Sequence, residues 1–261
     1  ESPGQDLTKA VQSISRLREW GTFDELMDTT VTAKATNPWV LQAAADAYQS
    51  ALKQGRLVGG EFQRGEEGGG HDRPMPQIDP ITGGTEVFPG NRDRVRALQL
   101  LVESLKHSPT EQLQISAWRE IADAFRSQEY WQLQVLTPLK ELPEWNEAGP
   151  SGGTEGVPWT KEGPVLFGVR ASWEAAKNDG ERWRFALARL AGINVDLAGE
   201  SVLERARFSS SHFEFDRTAW YGGWERDPEE AKALTELENL ADDEVLTRTS
   251  DGVRRFKLPP E

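Results

Sequence analysis

Apolar residues recur along much of this chain at helical spacing. Leu7, Val11, Ile14 and Leu17 fall at i, i+4, i+7 and i+10 with Ala10 beside them, a stripe that predicts an amphipathic helix ended by Gly21. Thr22 followed by Glu25 has the form of a capping box for a second helix burying Phe23, Leu26, Met27 and Val31, and the short connection predicts an antiparallel helical hairpin. Asn37-Pro38 places a capping amide before a first-turn proline, and Trp39, Ala43, Ala44, Ala47, Tyr48 and Ala51 follow on one helical face. Val95, Leu98, Leu101, Val102 and Leu105 continue the pattern, and Ser108-Pro109-Thr110-Glu111 caps a helix carrying Leu113, Trp118, Ile121 and Phe125.

Farther on, Trp183, Ala186, Leu187 and Leu190 share a face in a helical pattern from Trp173 to Ala191, with Asn178-Asp179-Gly180 as a break or restart. A helix is predicted over 195–207, then a short strand where His212-Phe213-Glu214-Phe215-Asp216 alternates, and a turn at Trp220-Tyr221-Gly222-Gly223-Trp224. Asp227-Pro228-Glu229-Glu230 caps a further helix through Ala231, Leu234 and Leu237. Asp242-Asp243-Glu244 opens a shorter one, and Arg254 to Pro259 reads as an exit into further chain.

Two stretches break the pattern, residues 54–90 and 140–168, both rich in Gly, Pro and Glu. The segment Ala45-Asp46-Ala47-Tyr48-Gln49-Ser50 resembles Ala122-Asp123-Ala124-Phe125-Arg126-Ser127, which suggests a degenerate helical repeat interrupted by the first insertion. The expected fold is therefore all-α: an irregular TPR-like or α-solenoid array of about 8 to 10 helices, with two long insertions and little or no β. It forms one helical-repeat domain over 1–261, with helices in 5–53, 91–139 and 169–258.

Composition narrows the function. The 10 Trp residues supply large aromatic anchors for a core that 261 residues are long enough to build. With 43 Asp plus Glu against 30 Lys plus Arg, the net charge of -13 repels phosphate backbones and argues against nucleic acid as a partner. The absence of Cys removes disulfides, thiolate metal sites, cysteine nucleophiles and thioesters. No apolar run approaches the ~20 residues that span a bilayer, and the N-terminus lacks a signal pattern, so a soluble chain without membrane insertion is expected.

Several groups invite chemistry. The run from Gly59 to His71 is Gly-rich but lacks a Gly-Lys-Ser/Thr ending, and Glu66 and Glu67 would repel a phosphate. His71 lies beside Asp72, while His107 and His212 are remote and none has ligand spacing, so neither metal nor cofactor is expected. Arg92, Arg94 and Arg96, with Arg64 before them, form a basic island at a helix start, where the dipole disfavours cations. They either pair with Glu61, Glu66 or Glu67, or pin the insertion onto the helices, or hold a neighbouring domain's carboxylates. Phe213, Phe215, Trp220, Tyr221 and Trp224 form either a stacking platform for sugar or peptide, or core packing under a non-helical segment. Candidate partner or loop-anchoring residues are thus Arg64, His71, Arg92, Arg94, Arg96, Trp220, Tyr221 and Trp224; no catalytic residue stands out.

Longer blocks carry a family likeness. Gly59-x-x-Phe62-x-Arg64-Gly65 leads to Gly68-Gly69-Gly70, and Asp93-Arg94-Val95-Arg96-Ala97-Leu98-Gln99-Leu100 follows. Next come Trp131-x-Leu133-Gln134-x-Leu136-Thr137, the run from Trp173 to Arg184, and Gly252-Val253-x-Arg255-Phe256-Lys257-Leu258-Pro259. In this order the blocks resemble the N-terminal helical region of large bacterial alpha-2-macroglobulin-like proteins, over about residues 37–259. The resemblance implies a secreted or periplasmic parent that inhibits peptidases by entrapment, collapsing around the protease once a bait segment is cut. The chain lacks the thioester Cys, the β-rich macroglobulin domains and a bait, and its first insertion is longer and more acidic than the family pattern.

The expectation is a non-catalytic helical scaffold at the N-terminus of such an endopeptidase inhibitor, periplasmic or otherwise extracytoplasmic. Its partners would be other domains of the same polypeptide or another protein, with the parent engaging proteases. A free-standing helical-repeat adaptor for protein or peptide is the alternative, and a carbohydrate-active hydrolase using a carboxylate pair is a third reading.

Overall fold

The computed structural model describes residues 3–65, 83–126, 135–145, 158–165, 167–214, 239–249 and 252–257. Helix α1 (Pro3–Leu17) buries Gly4, Leu7, Val11 and Ile14, the face expected from their spacing. Leu17 is exposed instead, because the helix stops there. Arg18 takes a left-handed conformation (φ 59°) and the Glu19 N–H donates to Ile14 O at 3.0 Å, the closing bond of a Schellman-type end. Gly21 sits inside a 3-10 turn, Trp20–Thr22, so it does not end the helix.

Helix α2 (Phe23–Ala33) buries Phe23, Met27 and Val31 of the four predicted positions, while Leu26 is only half-buried. The capping box does not form: the Thr22 hydroxyl donates to Glu19 O at 2.9 Å within the 3-10 turn and makes no cap bond. Helix α3 (Pro38–Ser50) starts as expected, with Asn37 Oδ1 accepting from the Val40 N–H at 3.2 Å and Pro38 in the first turn. Its small residues Ala44, Ala45 and Ala47 are buried, and α3 packs along α4 (Gly90–His107). Buried Gln42 on α3 donates to Leu113 O at 2.9 Å, on α5 (Glu111–Phe125). Trp39 is 43% exposed and so anchors no core.

The first insertion contains β-structure, against the expectation of little or none. Strands β1 (Gly55–Val58), β2 (Glu61–Arg64) and β3 (Thr85–Val87) form an antiparallel sheet in the order β2-β1-β3. Gly59 and Gly60, at φ 60° and 88°, make the two-residue turn between β1 and β2, a conformation that side-chain-bearing residues rarely adopt. Gly55 is needed for space: a Cβ there would lie 2.4 Å from the Phe62 ring.

The second insertion contributes β4 (Trp159–Thr160) and β5 (Gly163–Pro164) to a second sheet, order β5-β4-β6-β7. Its longer members, β6 (Glu244–Thr249) and β7 (Gly252–Lys257), occupy the positions expected to open a short helix and to exit the fold. Val245, at 0% exposure, and Leu246 are neighbours that point to opposite faces of β6, and both are buried.

The helical stretch expected from Trp173 begins later, at α6 (Asp179–Ile193). Asn178 is its cap, its Oδ1 accepting from the Glu181 N–H at 2.9 Å, so the Asn-Asp-Gly motif marks a start and not an interruption. Helix α7 (Val195–Glu214) runs through His212-Phe213-Glu214, where a strand was expected. Trp183 and Phe208 meet at 4.8 Å between ring centroids where α6 packs on α7. The helix expected after Asp227 lies outside the described residues.

The protein is thus mostly helical, with seven α-helices and two small sheets among the described residues. The chain groups into two compact units. One comprises Glu1–Ala124 with Pro138–Pro150, the other Phe125–Thr137 with Ser151–Glu261.

Candidate functional site

Strand β2 alternates Glu61, Phe62, Gln63 and Arg64, which puts Phe62 and Arg64 on one face. The hairpin turn returns that face to the helices, and Arg64 ends 2% exposed. Its guanidinium uses all five N–H donors. Nε and Nη2 donate to the two Asp24 oxygens at 3.0 and 2.9 Å. Nη1 and Nη2 donate to the two Asp93 oxygens at 2.8 and 2.9 Å, and Nη1 also reaches Leu52 O at 2.7 Å. Asp93, in the first turn of α4, is 3% exposed and lies 3.3 Å from Lys53 Nζ. Two cations and two carboxylates therefore balance. Burial opposes the charge on Arg64, yet the hydrogen bonds and charges of Asp93 and Asp24 outweigh it and hold the guanidinium above its ordinary pKa.

Aromatic rings extend this cluster in both directions. The Arg64 guanidinium lies 4.9 Å from the Phe23 ring centroid and 5.3 Å from that of Phe62. Phe23 meets Tyr48 edge-on at 5.5 Å, and burial with the charges of Asp28 and Asp24 raises the Tyr48 hydroxyl above the usual phenol range. On the other side Phe62 stacks on Trp145 at 4.3 Å with 26° between planes, and the Arg92 guanidinium lies 4.1 Å from the Trp145 centroid. The result is one continuous stack, Arg92, Trp145, Phe62, Arg64, Phe23, Tyr48, joining both insertions to the helices.

The remaining arginines of the basic island serve the same region. Arg92 donates to Pro143 O, and burial lowers its pKa despite the charges of Glu144 and Asp93. Arg96 Nη1 donates to Gln99 Oε1 at 3.1 Å, and Gln99 Nε2 donates to Leu139 O at 3.2 Å. Arg94 turns to Asn91 Oδ1 at 3.1 Å from Nη2. Among the described residues, these bonds tie Arg64 of the first insertion to Asp24 on α2 and Asp93 on α4, and tie Arg92 on α4 to the second insertion. His71, Trp220, Tyr221 and Trp224 lie outside the described residues, as do Glu66 and Glu67.

A second polar cluster went unread in the sequence. At the start of α6, the Asp179 carboxylate accepts from the Thr137 N–H at 2.9 Å and from its hydroxyl, while the Asp179 N–H donates to Val135 O at 2.7 Å. Arg182 Nη1 donates to Thr137 O at 2.6 Å and its guanidinium lies 5.3 Å from the Trp173 centroid. Glu181 accepts from Arg170 Nε and from the Lys177 N–H, at 2.7 and 2.8 Å. Asp and Glu in the first turn of a capped helix were the available signal.

These clusters hold chain to chain. Arg64 has no N–H left for a substrate, and among the described residues no group of three His, Cys, Asp or Glu side chains is placed to hold a metal ion. Among the described residues, the carboxyl most displaced from its ordinary range is Glu120 on α5, which burial pushes up to about 7, aided by the charges of Asp46 and Asp123 and opposed by the Ser116 hydroxyl. Its Oε2 has no hydrogen-bond partner. Comparison with protein-family models, curated proteins and solved structures found no match.

Proposed function

We propose that the chain is a non-catalytic helical-repeat scaffold, TPR-like in kind, serving as the N-terminal interaction module of a bacterial alpha-2-macroglobulin-like endopeptidase inhibitor. The observation that carries the reading is the meeting of Arg64 with Asp93. These residues come from two of the blocks that bear the family resemblance, and their pairing gives those blocks a common structural purpose. A third block supplies Asp179, Glu181 and Arg182, which hold a backbone segment at the start of α6. The repeat is supported by a shared burial pattern: Ala45, Ala47 and Tyr48 are buried around exposed Asp46, as Ala122, Ala124 and Phe125 are around exposed Asp123.

In this role the module is extracytoplasmic, contacts other domains of its own polypeptide, and leaves protease capture to them. The reading frame beyond Glu261 tests the assignment. Macroglobulin-like β-domains are expected there, and an immediate stop codon would remove the parent protein from the proposal. A free-standing adaptor for extended peptides is the second reading, favoured by the Trp145 segment lying against α4. That same stop codon would leave it standing.

A further inference from the structure

Residues 138–145 lie against α4 without a helix or strand of their own. Only Leu139, Pro143 and Trp145 are half-buried; Pro138, Lys140, Glu141, Leu142 and Glu144 are exposed. The segment is held in the manner of a bound peptide. Two of its main-chain carbonyls, Leu139 O and Pro143 O, accept from side chains of α4, namely Gln99 and Arg92. Its ring, Trp145, lies against the Phe62 face and the Arg92 guanidinium. Reading main-chain carbonyls while gripping one aromatic side chain is how a groove recognises an extended partner segment.

We propose that residues 138–145 are a resident pseudo-ligand, and that the surface of α4 and β2 beneath them is a recognition site for an extended acidic segment carrying Pro-x-Trp on another protein. The resident sequence Glu141-Leu142-Pro143-Glu144-Trp145 states the ligand chemistry. Pro143 favours an extended backbone, the Glu residues suit a site bordered by Arg92 and Arg96, and Trp145 is the anchor. Binding in trans requires the resident segment to leave, so the site is autoinhibited. This rests on the reading of the chain as an interaction module.

The test is exchange in trans. A fluorescein-labelled peptide of residues 138–150 is titrated by anisotropy into the full chain and into its Trp145→Ala variant. With an effective concentration of about 1 mM for the tethered segment and a site Kd of about 50 µM, the tethered form predominates about 20 to 1. The peptide should then bind the variant roughly 20-fold more tightly than the unaltered chain. Adding Arg92→Gln to the variant, or Trp145→Ala to the peptide, should abolish binding. Equal affinity for both proteins, no binding to a variant whose circular dichroism and melting match the parent, or full binding by the Trp-less peptide would each overturn the proposal.

Should Trp145→Ala not fold, Leu139→Ser with Glu144→Lys weakens the segment while keeping the ring. The same comparison then applies, with a smaller ratio expected and a ratio of one refuting. Failure of exchange is distinguishable from failure of the module reading, which the downstream reading frame decides separately.

Discussion

Replacing Arg64 by Met removes five hydrogen bonds but keeps a long apolar side chain between Phe23 and Phe62. What remains is the decisive part. The Asp93 side chain is 4% exposed, and its nearest remaining cation, Lys53 at 3.3 Å, is 35% exposed and so already solvated. Stranding one member of a buried pair costs about 3–5 kcal/mol, a large share of a total stability of about 5–15 kcal/mol. Arg64→Lys keeps the charge but has three donors for an arrangement that uses five, and should cost about 2 kcal/mol.

Coupling energies separate the two carboxylates. Asp24 is 35% exposed, so water takes over when Arg64 is removed, and its coupling to Arg64 should stay near or below about 1 kcal/mol. The coupling of Arg64 to Asp93 should exceed about 2 kcal/mol. Urea denaturation of the single and double variants (Arg64→Met, Asp93→Asn, Asp24→Asn), followed by circular dichroism, measures all of these. A loss below about 1 kcal/mol for Arg64→Met, or a coupling to Asp24 larger than that to Asp93, would refute an account in which burial sets the strength of the clasp.

Glu120→Gln tests the buried carboxyl. Its pKa is raised in the folded protein, so stability is whole below the ordinary value of 4.5 and falls as pH rises towards about 7. The variant should match the parent at pH 4 and exceed it by up to about 3 kcal/mol at pH 8 in urea melts. Asn178→Ala removes the cap of α6 and should cost about 1 kcal/mol, with faster amide hydrogen exchange at Glu181; unchanged exchange there would contradict the assigned bond. Gly55→Val should destabilise the first sheet through the Phe62 ring and lower the intensity or shift the maximum of Trp145 emission; an unaltered spectrum and melt would show that Phe62 is not fixed against it.

Helix existence was legible because α1 to α5 carry their information within one turn: Asn37 before Pro38, Thr110 before Glu111, and the stripe of Phe23, Met27 and Val31. Helix ends were less so. Thr22 has the sequence of a cap, yet its hydroxyl is taken by Glu19 O, and Leu17 continues a stripe that an Arg18 in the left-handed region has already ended. The strands were missed for a different reason. The first sheet's strands are three or four residues long, too short for alternation to stand out against Gly-rich surroundings, and their pairing joins residues such as Gly55 and Val87 that are remote in sequence.

The basic island shows both what sequence gives away and what it withholds. Cations in the first turn of a helix oppose its dipole by about 0.3–1 kcal/mol each, so Arg92 demanded another explanation from the start. Sequence proximity offered Glu61, Glu66 and Glu67 as partners for the arginines. Among the described residues, the fold gives Arg64 to Asp93, which as an acidic residue in that same first turn suits the dipole, and gives Arg92 to a carbonyl and a Trp ring from residues 143–145. Neither choice is local. Because Phe62 and Arg64 share one face of β2, fixing Arg64 in its carboxylate clasp also fixes the ring on which Trp145 stacks. Loosening the clasp should therefore release the 138–145 segment as well, whereas releasing that segment leaves all five bonds of Arg64 intact.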